Sequence, residues 1–142
     1  MITIEELTQV TTKSVDEINA LIPQLSSSAK PMTFARLLEL TKDMRVPILV
    51  ALDGKKIVGI GMIITYNVLT EKRAWLEEII VDEQYRGQGL GERISRALIE
   101  IAKKQRVERI YLSSAPKRVA ANKLYQKMGF EPKETNVYRM KL

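Results

Sequence analysis

The chain contains neither cysteine nor histidine. The first absence excludes a disulfide framework and a thiol nucleophile, and the second excludes a Ser-His triad. Together they remove the ordinary ligands of a zinc site, so no metal is expected. Any chemistry must use carboxylates, Tyr, Lys, Ser and backbone groups, an inventory better suited to direct transfer between two bound substrates than to a covalent relay. No apolar run approaches the length of a membrane span. Met1-Ile2-Thr3-Ile4-Glu5-Glu6 lacks the basic and apolar regions of a signal peptide. The expectation is a cytoplasmic protein without membrane association. Repeats, low-complexity tracts and linkers are also missing, and 142 residues suit one domain spanning 1–142 with a core of its own.

Charge is present but unevenly placed. The net charge is +6, and from position 101 onward eleven Lys and Arg stand against three Glu. Such a basic third attracts nucleic acid, an acidic partner or a phosphorylated cofactor, unless it is only a solvated helix face. Few aromatic residues interleave with those charges, which makes nucleic acid the weakest of these readings.

Hydrophobic spacing places the elements. Ile2-Thr3-Ile4 reads as a first strand. Ser14-Val15-Asp16-Glu17 has the form of a capping box ahead of Val15, Ile18, Leu21, Ile22 and Leu25 at helical intervals. A second short helix is expected from Phe34. Ile48–Leu52 and Ile57–Tyr66 flank Asp53-Gly54, a hairpin signal, and Gly59 and Gly61 mark a bulge or a close approach. A third β segment runs from Ala74 to Val81. The helix after it buries Ile94, Ala97, Leu98 and Ile101, with Glu92–Arg96 and Glu100–Lys104 as i,i+4 pairs. Arg109–Leu112 is a strand. A last helix carries Ala121, Leu124, Tyr125 and Met128 and stops at Gly129. Phe130 and Val137–Leu142 read as closing strands. The order β-α-α-β-β-β-α-β-α-β-β describes an α+β protein with a mixed sheet.

The richest stretch is Arg86-Gly87-Gln88-Gly89-Leu90-Gly91. It leaves a strand and opens a helix, so free N–H groups and a helix N-terminus make an anion site, typically for phosphate. A dinucleotide fingerprint would need glycine where Glu92 stands, and a P-loop would need a following Gly-Lys-Ser or Gly-Lys-Thr. The spacing Arg-x-x-Gly-x-Gly instead resembles the GNAT superfamily of acyl-CoA N-acyltransferases. The element order fits that fold over essentially the whole chain. Asn122-Lys123-Leu124-Tyr125-Gln126-Lys127-Met128-Gly129-Phe130 resembles its second hallmark, a helix ending in Tyr-x-x-x-Gly-Phe.

The resemblance implies acetyl-CoA as co-substrate and an amine as acceptor. Arg86, Gly87, Gln88, Gly89, Leu90, Gly91 and Glu92 would wrap its pyrophosphate, Ile79 and Val81 would pair with the pantetheine arm, and the N–H of Ile79 or Ile80 would receive the oxyanion. Asn122 would reach the cofactor from the last helix. Arg118 stands where the family more often has Asn, and its role is left open. Acetyl transfer needs a base, because an amine such as lysine titrates near ~10.4. It also needs a donor for the oxyanion and a proton for the leaving thiolate. Tyr125 matches the family's thiolate donor, although residues alone allow a core tyrosine. Glu77 and Glu78 are the candidate bases. Strand alternation sends them to opposite faces, Glu77 with Trp75, Ile79 and Val81, and Glu78 with Leu76 and Ile80; Glu77 is preferred. Ser113 and Ser114 are expected to cap the last helix, and Trp75 to pack.

The acceptor is a small amine or a protein amine, the oligomer a monomer or homodimer. The alternative is a non-catalytic module of the same fold that senses acyl-CoA or docks a partner. Glu39 and Asp43 are too few to define an acidic floor for a polycation.

Overall fold

The computed structural model describes residues 1–142. They form two compact units, Met1–Leu112 and Ser113–Leu142.

The first unit opens with β1 (Ile2–Glu6) and α1 (Thr12–Leu25). The capping box lies one turn earlier than Ser14-x-x-Glu17 implies. Thr11 is the N-cap: its hydroxyl accepts from the Ser14 N–H at 3.0 Å, and the Ser14 hydroxyl accepts from the Thr11 N–H at 2.9 Å. Glu17 is thereby released for other work, pairing with Lys13 and accepting the Ile57 N–H at 3.1 Å. From α1, Ile18 and Leu21 are 1% exposed. Burying a side chain of that size stabilises by about 1.5–3 kcal/mol. A short α2 (Phe34–Thr41), capped by Thr33, buries Leu37 beside them.

The sheet has the order β1-β2-β3-β4-β5, formed by β2 (Ile48–Asp53), β3 (Lys56–Asn67), β4 (Lys72–Val81) and β5 (Arg109–Tyr111). All neighbours are antiparallel except β4 and β5. Gly54, at φ +61°, turns the hairpin between β2 and β3. Helices α1 and α2 cover one face. Helix α3 (Leu90–Lys104) covers the other, burying Leu90, Ile94, Ser95, Leu98 and Ala102. Glu92 pairs with Arg96 as the sequence implies, while Glu100 takes Lys103 rather than Lys104.

The glycines of β3 serve close approach. A Cβ on Gly61 would lie 2.6 Å from both Ile79 Cδ1 and Ile94 Cγ2. The register also slips opposite that glycine. Ile60 pairs with Ile80 and Met62 with Glu77, so Glu78 and Ile79 together oppose Gly61. The extra residue therefore sits in β4, across from the glycine, rather than at the glycine itself.

The second unit holds α4 (Val119–Lys127) and no strand. The closing strands expected at Phe130 and Val137–Leu142 do not form. A strand needs a hydrogen-bonded neighbour, Pro132 lacks a donor, and Val137, Tyr138, Met140 and Leu142 stand exposed. Ser113 and Ser114 do not cap α4 either. Its N-cap is Arg118, with no side-chain hydrogen bond.

Gly61→Ala tests the close approach. It is expected to lower stability by about 1–3 kcal/mol in urea denaturation, since Ile94 is branched close to its backbone and yields little. An unchanged midpoint would mean that α3 does not press on β3.

Candidate active site

Glu78 sits at φ +53°, left-handed backbone that a non-glycine residue adopts only at a cost of about 1–3 kcal/mol. The strain belongs to the extra residue in β4, and it overturns the alternation expected from the sequence. Before the bulge, Trp75 and Glu77 lie on the α1/α2 face, opposite Ile64 and Met62. After it, Ile79 lies against Gly61 on the α3 face and Ile80 joins the core beneath α1. Glu77 therefore does not share a face with Ile79, nor Glu78 with Leu76. Both carboxylates open into one pocket on the α1/α2 side. An extra strand residue re-aims the side chains that follow it.

That pocket has a volume of about 520 Å³. Met32, Leu40, Val46, Met62 and Ile64 supply apolar wall; Glu77, Glu78, Glu39, Asp43 and Arg36 supply charge. Arg36 pairs with Glu39 at 3.4 Å, and Arg45 grips Asp43 through two side-chain hydrogen bonds of 3.0 Å. The Arg45 guanidinium holds the Asp43 carboxyl below its usual range. Neither Glu77 nor Glu78 pairs with a lysine or arginine. Burial, then the neighbouring charge of Glu78, pushes the Glu77 carboxyl up. A small apolar cavity of about 30 Å³ adjoins, lined by Ile18, Ile22 and Leu37 with Glu78 at its edge.

On the other side of β4 the strand is open. β5 pairs with it at Arg73, Ala74 and Trp75 only. From Leu76 to Val81 the edge has no neighbouring strand, and Ile79, Ile80 and Val81 lie along it. Trp75 packs as expected, stacked on Tyr111 and donating to the Tyr66 hydroxyl at 2.9 Å.

The glycine loop continues from this edge. Gly87 and Gly89 sit at φ +79° and +74°, where a side chain would be strained. Gly89 is the N-cap of α3 and offers no side chain. The N–H groups of Gly87, Gln88, Gly89, Leu90 and Gly91 have no partner within the chain, so loop and helix dipole present donors together. The Arg86 N–H turns inward to the Glu83 carbonyl, and its guanidinium donates to the Val81 carbonyl at 3.2 Å. Glu92 points its carboxylate along α3 to Arg96. A pyrophosphate fits such a donor set, and an extended amide-bearing arm fits the open edge.

The second unit explains Tyr-x-x-x-Gly-Phe physically. Gly129, at φ +103°, ends α4; its N–H reaches the Gln126 carbonyl, and the Phe130 N–H reaches the Tyr125 carbonyl at 3.0 Å. These are the two bonds of a Schellman cap, and its customary apolar contact is Phe130 edge-on to Tyr125, rings 6.0 Å apart. Phe130 thereby fixes the Tyr125 ring, a role the motif signalled but the sequence reading left out. Burial pushes the Tyr125 hydroxyl up, with Arg118 opposing, so it stays protonated near neutrality. Asn122 donates to the Ala115 carbonyl at 3.0 Å, tying the turn that leads into its own helix.

A model described as the Acetyltransferase (GNAT) family matches residues 14–130. The chain belongs to that family. A spermine/spermidine N(1)-acetyltransferase of Bacillus subtilis (strain 168) is 42% identical over 60 residues, covering 42% of this chain and 40% of that protein. The match thus spans less than half the length of this curated relative. Among solved structures, a protein described as a transcriptional regulator from Bacillus halodurans C-125 superposes with a TM-score of 0.84 at 25% identity, covering 100% of both chains. An acetyltransferase of Trypanosoma brucei gives 0.82 at 22% identity, again over 100% of both, which establishes the fold. No helix is long and apolar enough to cross a membrane.

Two substitutions test the bulge. Glu78→Gly relieves the left-handed strain and is expected to match or exceed the wild-type melting temperature, whereas Glu78→Val lowers it; equal values would show that position 78 is not strained. Ionised Glu77 is destabilising here, because a raised native pKa means the folded state binds the proton more tightly than the unfolded one. Stability therefore falls as pH rises through that range. Glu77→Gln is expected to flatten this fall, and a urea series at acid and neutral pH measures it.

Proposed function

We propose that this protein is an acetyl-CoA-dependent N-acetyltransferase whose acceptor is a small alkyl amine carrying a second positive charge, such as a polyamine. One observation carries the reading: the β4 bulge turns two carboxylates without cationic partners into a single pocket beside an open strand edge and a donor-rich loop. Family membership supplies the reaction class, and the spermine/spermidine relative lends support to the acceptor. Domain organisation is proposed as one catalytic domain over 1–142.

The roles follow from the chemistry. The loop 86–92 and Asn122 bind the coenzyme, and the edge at Ile79 and Val81 pairs with its arm. Glu77, with its raised affinity for a proton, takes one from the incoming ammonium near neutral pH. Glu78 stays as the charge that draws the cation in. The freed amine attacks the thioester carbonyl, forming the C–N bond. A backbone N–H at Ile79 or Ile80 stabilises the oxygen while negative charge gathers on it. Tyr125 gives its proton to the departing sulfur as the C–S bond breaks. The new amide nitrogen sheds its remaining surplus proton to solvent, and the tyrosinate is reprotonated from solvent, so amide, free thiol and the proton taken by Glu77 balance the reaction. The apolar wall of Met32, Leu40 and Met62 suits a methylene chain, and Glu39 and Asp43 lie on the same pocket for a distal ammonium.

Thiol release from acetyl-CoA over an amine panel tests this. Diamines and polyamines are expected to outrun monoamines, amino sugars and peptide N-termini. Glu77→Gln and Tyr125→Phe are each expected to lower kcat by about 10²-fold or more. The wild-type rate falls as pH drops through the Glu77 pKa, and Glu77→Gln loses that acid limb. Should no amine stimulate release while acetyl-CoA still raises the melting temperature, the protein is a sensing module and the enzyme reading fails.

A further inference from the structure

The residues 82–91 present a geometric problem. The N–H groups of 87–91 have no partner within the chain, and donors that are to face one anion repel one another while it is absent. The loop therefore has to be held from outside if it is to stay ready for an anion. Part of the holding is local. The Asp82 N–H reaches the Val58 carbonyl at 2.9 Å, the Asp82 carboxylate accepts from Gln84 at 3.0 Å, and the Tyr85 hydroxyl donates to Asp53 at 2.8 Å. All of these come from the loop itself or from the adjoining hairpin.

One contact has a different origin. Gln24, in the last turn of α1, offers its side-chain oxygen to the Glu83 N–H at 3.0 Å and to Arg86 Nη2 at 3.4 Å. Arg86 Nε is at the same time bound to the Val81 carbonyl. Two acceptors on two edges fix the plane of a guanidinium, which a single bond on a flexible side chain does not. The opposite flank of α1 faces the acceptor side: Ile18 and Ile22 line the cavity that Glu78 borders. One helix thus carries an acceptor-side wall and, within a turn of it, the clasp on the donor loop.

We propose that Gln24 is a positioning residue for the donor site, holding the 83–86 turn and aiming Arg86 so that the glycine loop is preformed for the coenzyme pyrophosphate. The proposal rests on the reading of that loop as a coenzyme A site. Gln24 acts through Arg86 and the loop backbone and touches no reacting atom. It predicts a selective defect in donor affinity. Because α1 is fixed in the core by Val15, Ile18 and Leu21, loss of the Gln24 oxygen leaves the helix and the acceptor pocket in place.

The test is calorimetric titration of coenzyme A, with steady-state kinetics alongside, on wild type, Gln24→Leu and Gln24→Glu. Leucine keeps the bulk and removes the acceptor, whereas glutamate keeps an oxygen for both donors. Gln24→Leu is expected to weaken coenzyme A binding by about fivefold to tenfold, the scale of one or two hydrogen bonds. KM for acetyl-CoA rises in parallel, while kcat at saturation, KM for the amine and the melting temperature move far less. Gln24→Glu restores donor affinity. In combination with Arg86→Ala the leucine variant adds less than its separate effect. Wild-type affinity in Gln24→Leu, a defect shared equally with the amine KM and melting temperature, or no rescue by glutamate would each overturn the proposal. If wild type itself fails to bind coenzyme A, the site reading falls and takes the proposal with it.

Discussion

The arrangement of the site depends on one residue too many in β4. With Glu78 inserted opposite Gly61, the strand keeps Glu77 on the α1/α2 face, adds Glu78 to it, and turns Ile79 to the α3 face. An unbulged strand would separate the two carboxylates by the thickness of the sheet. The left-handed backbone at Glu78 costs stability, and so do the burial and, after it, the Glu78 charge that raise Glu77. The core under α1 and the packing of Ile94 and Leu98 on β3 offset both. Gly61 belongs to the same device, since Ile79 needs the space a side chain would fill. Strain, like-charge pairing and a missing Cβ are three consequences of a single register shift.

The glycine loop and the helix end at Tyr125 were legible because their signals are local. A glycine loop between strand and helix, or Tyr-x-x-x-Gly-Phe at a helix end, is a backbone conformation written into consecutive residues. Gly129 and Phe130 form a Schellman cap whatever surrounds them. The bulge was not legible, because apolar residues flank the two glutamates on both strand parities, so alternation there carries no register. The hint lay across the ladder, in Gly59 and Gly61. The acidic pocket was missed for a related reason: four carboxylates from α2, the turn after it and β4 meet only in three dimensions. The closing strands were over-read from alternation alone, which cannot supply a hydrogen-bonded neighbour. The capping box fell one turn off because Thr11 and Ser14 compete for the same role as Ser14 and Glu17, and the reciprocal hydroxyl pair formed.

The proposed function brings donor and acceptor chemistry together along β4 from opposite directions. Its free edge runs toward the anion loop, and its α1/α2 face opens onto carboxylates and methionines. The rim arginines, Arg36 and Arg45, already neutralise Glu39 and Asp43. Unbalanced negative charge is thus concentrated at Glu77 and Glu78, where the proposed reaction would have an ammonium surrender its proton. Under the proposed function, a second ammonium reaching Glu39 or Asp43 would exchange places with their exposed arginine partners at small cost, because surface ion pairs contribute little.

The most direct test of this account is carboxyl NMR titration of Glu77, in wild type and in Glu78→Gln. The account predicts a Glu77 carboxyl that titrates above the ordinary glutamate range, and that moves back toward it, without reaching it, when the neighbouring charge is removed, leaving the part due to burial. A Glu77 that titrates normally in both proteins, or that ignores the substitution, would mean the two carboxylates do not share a pocket, and the bulge would lose its place at the centre of the site.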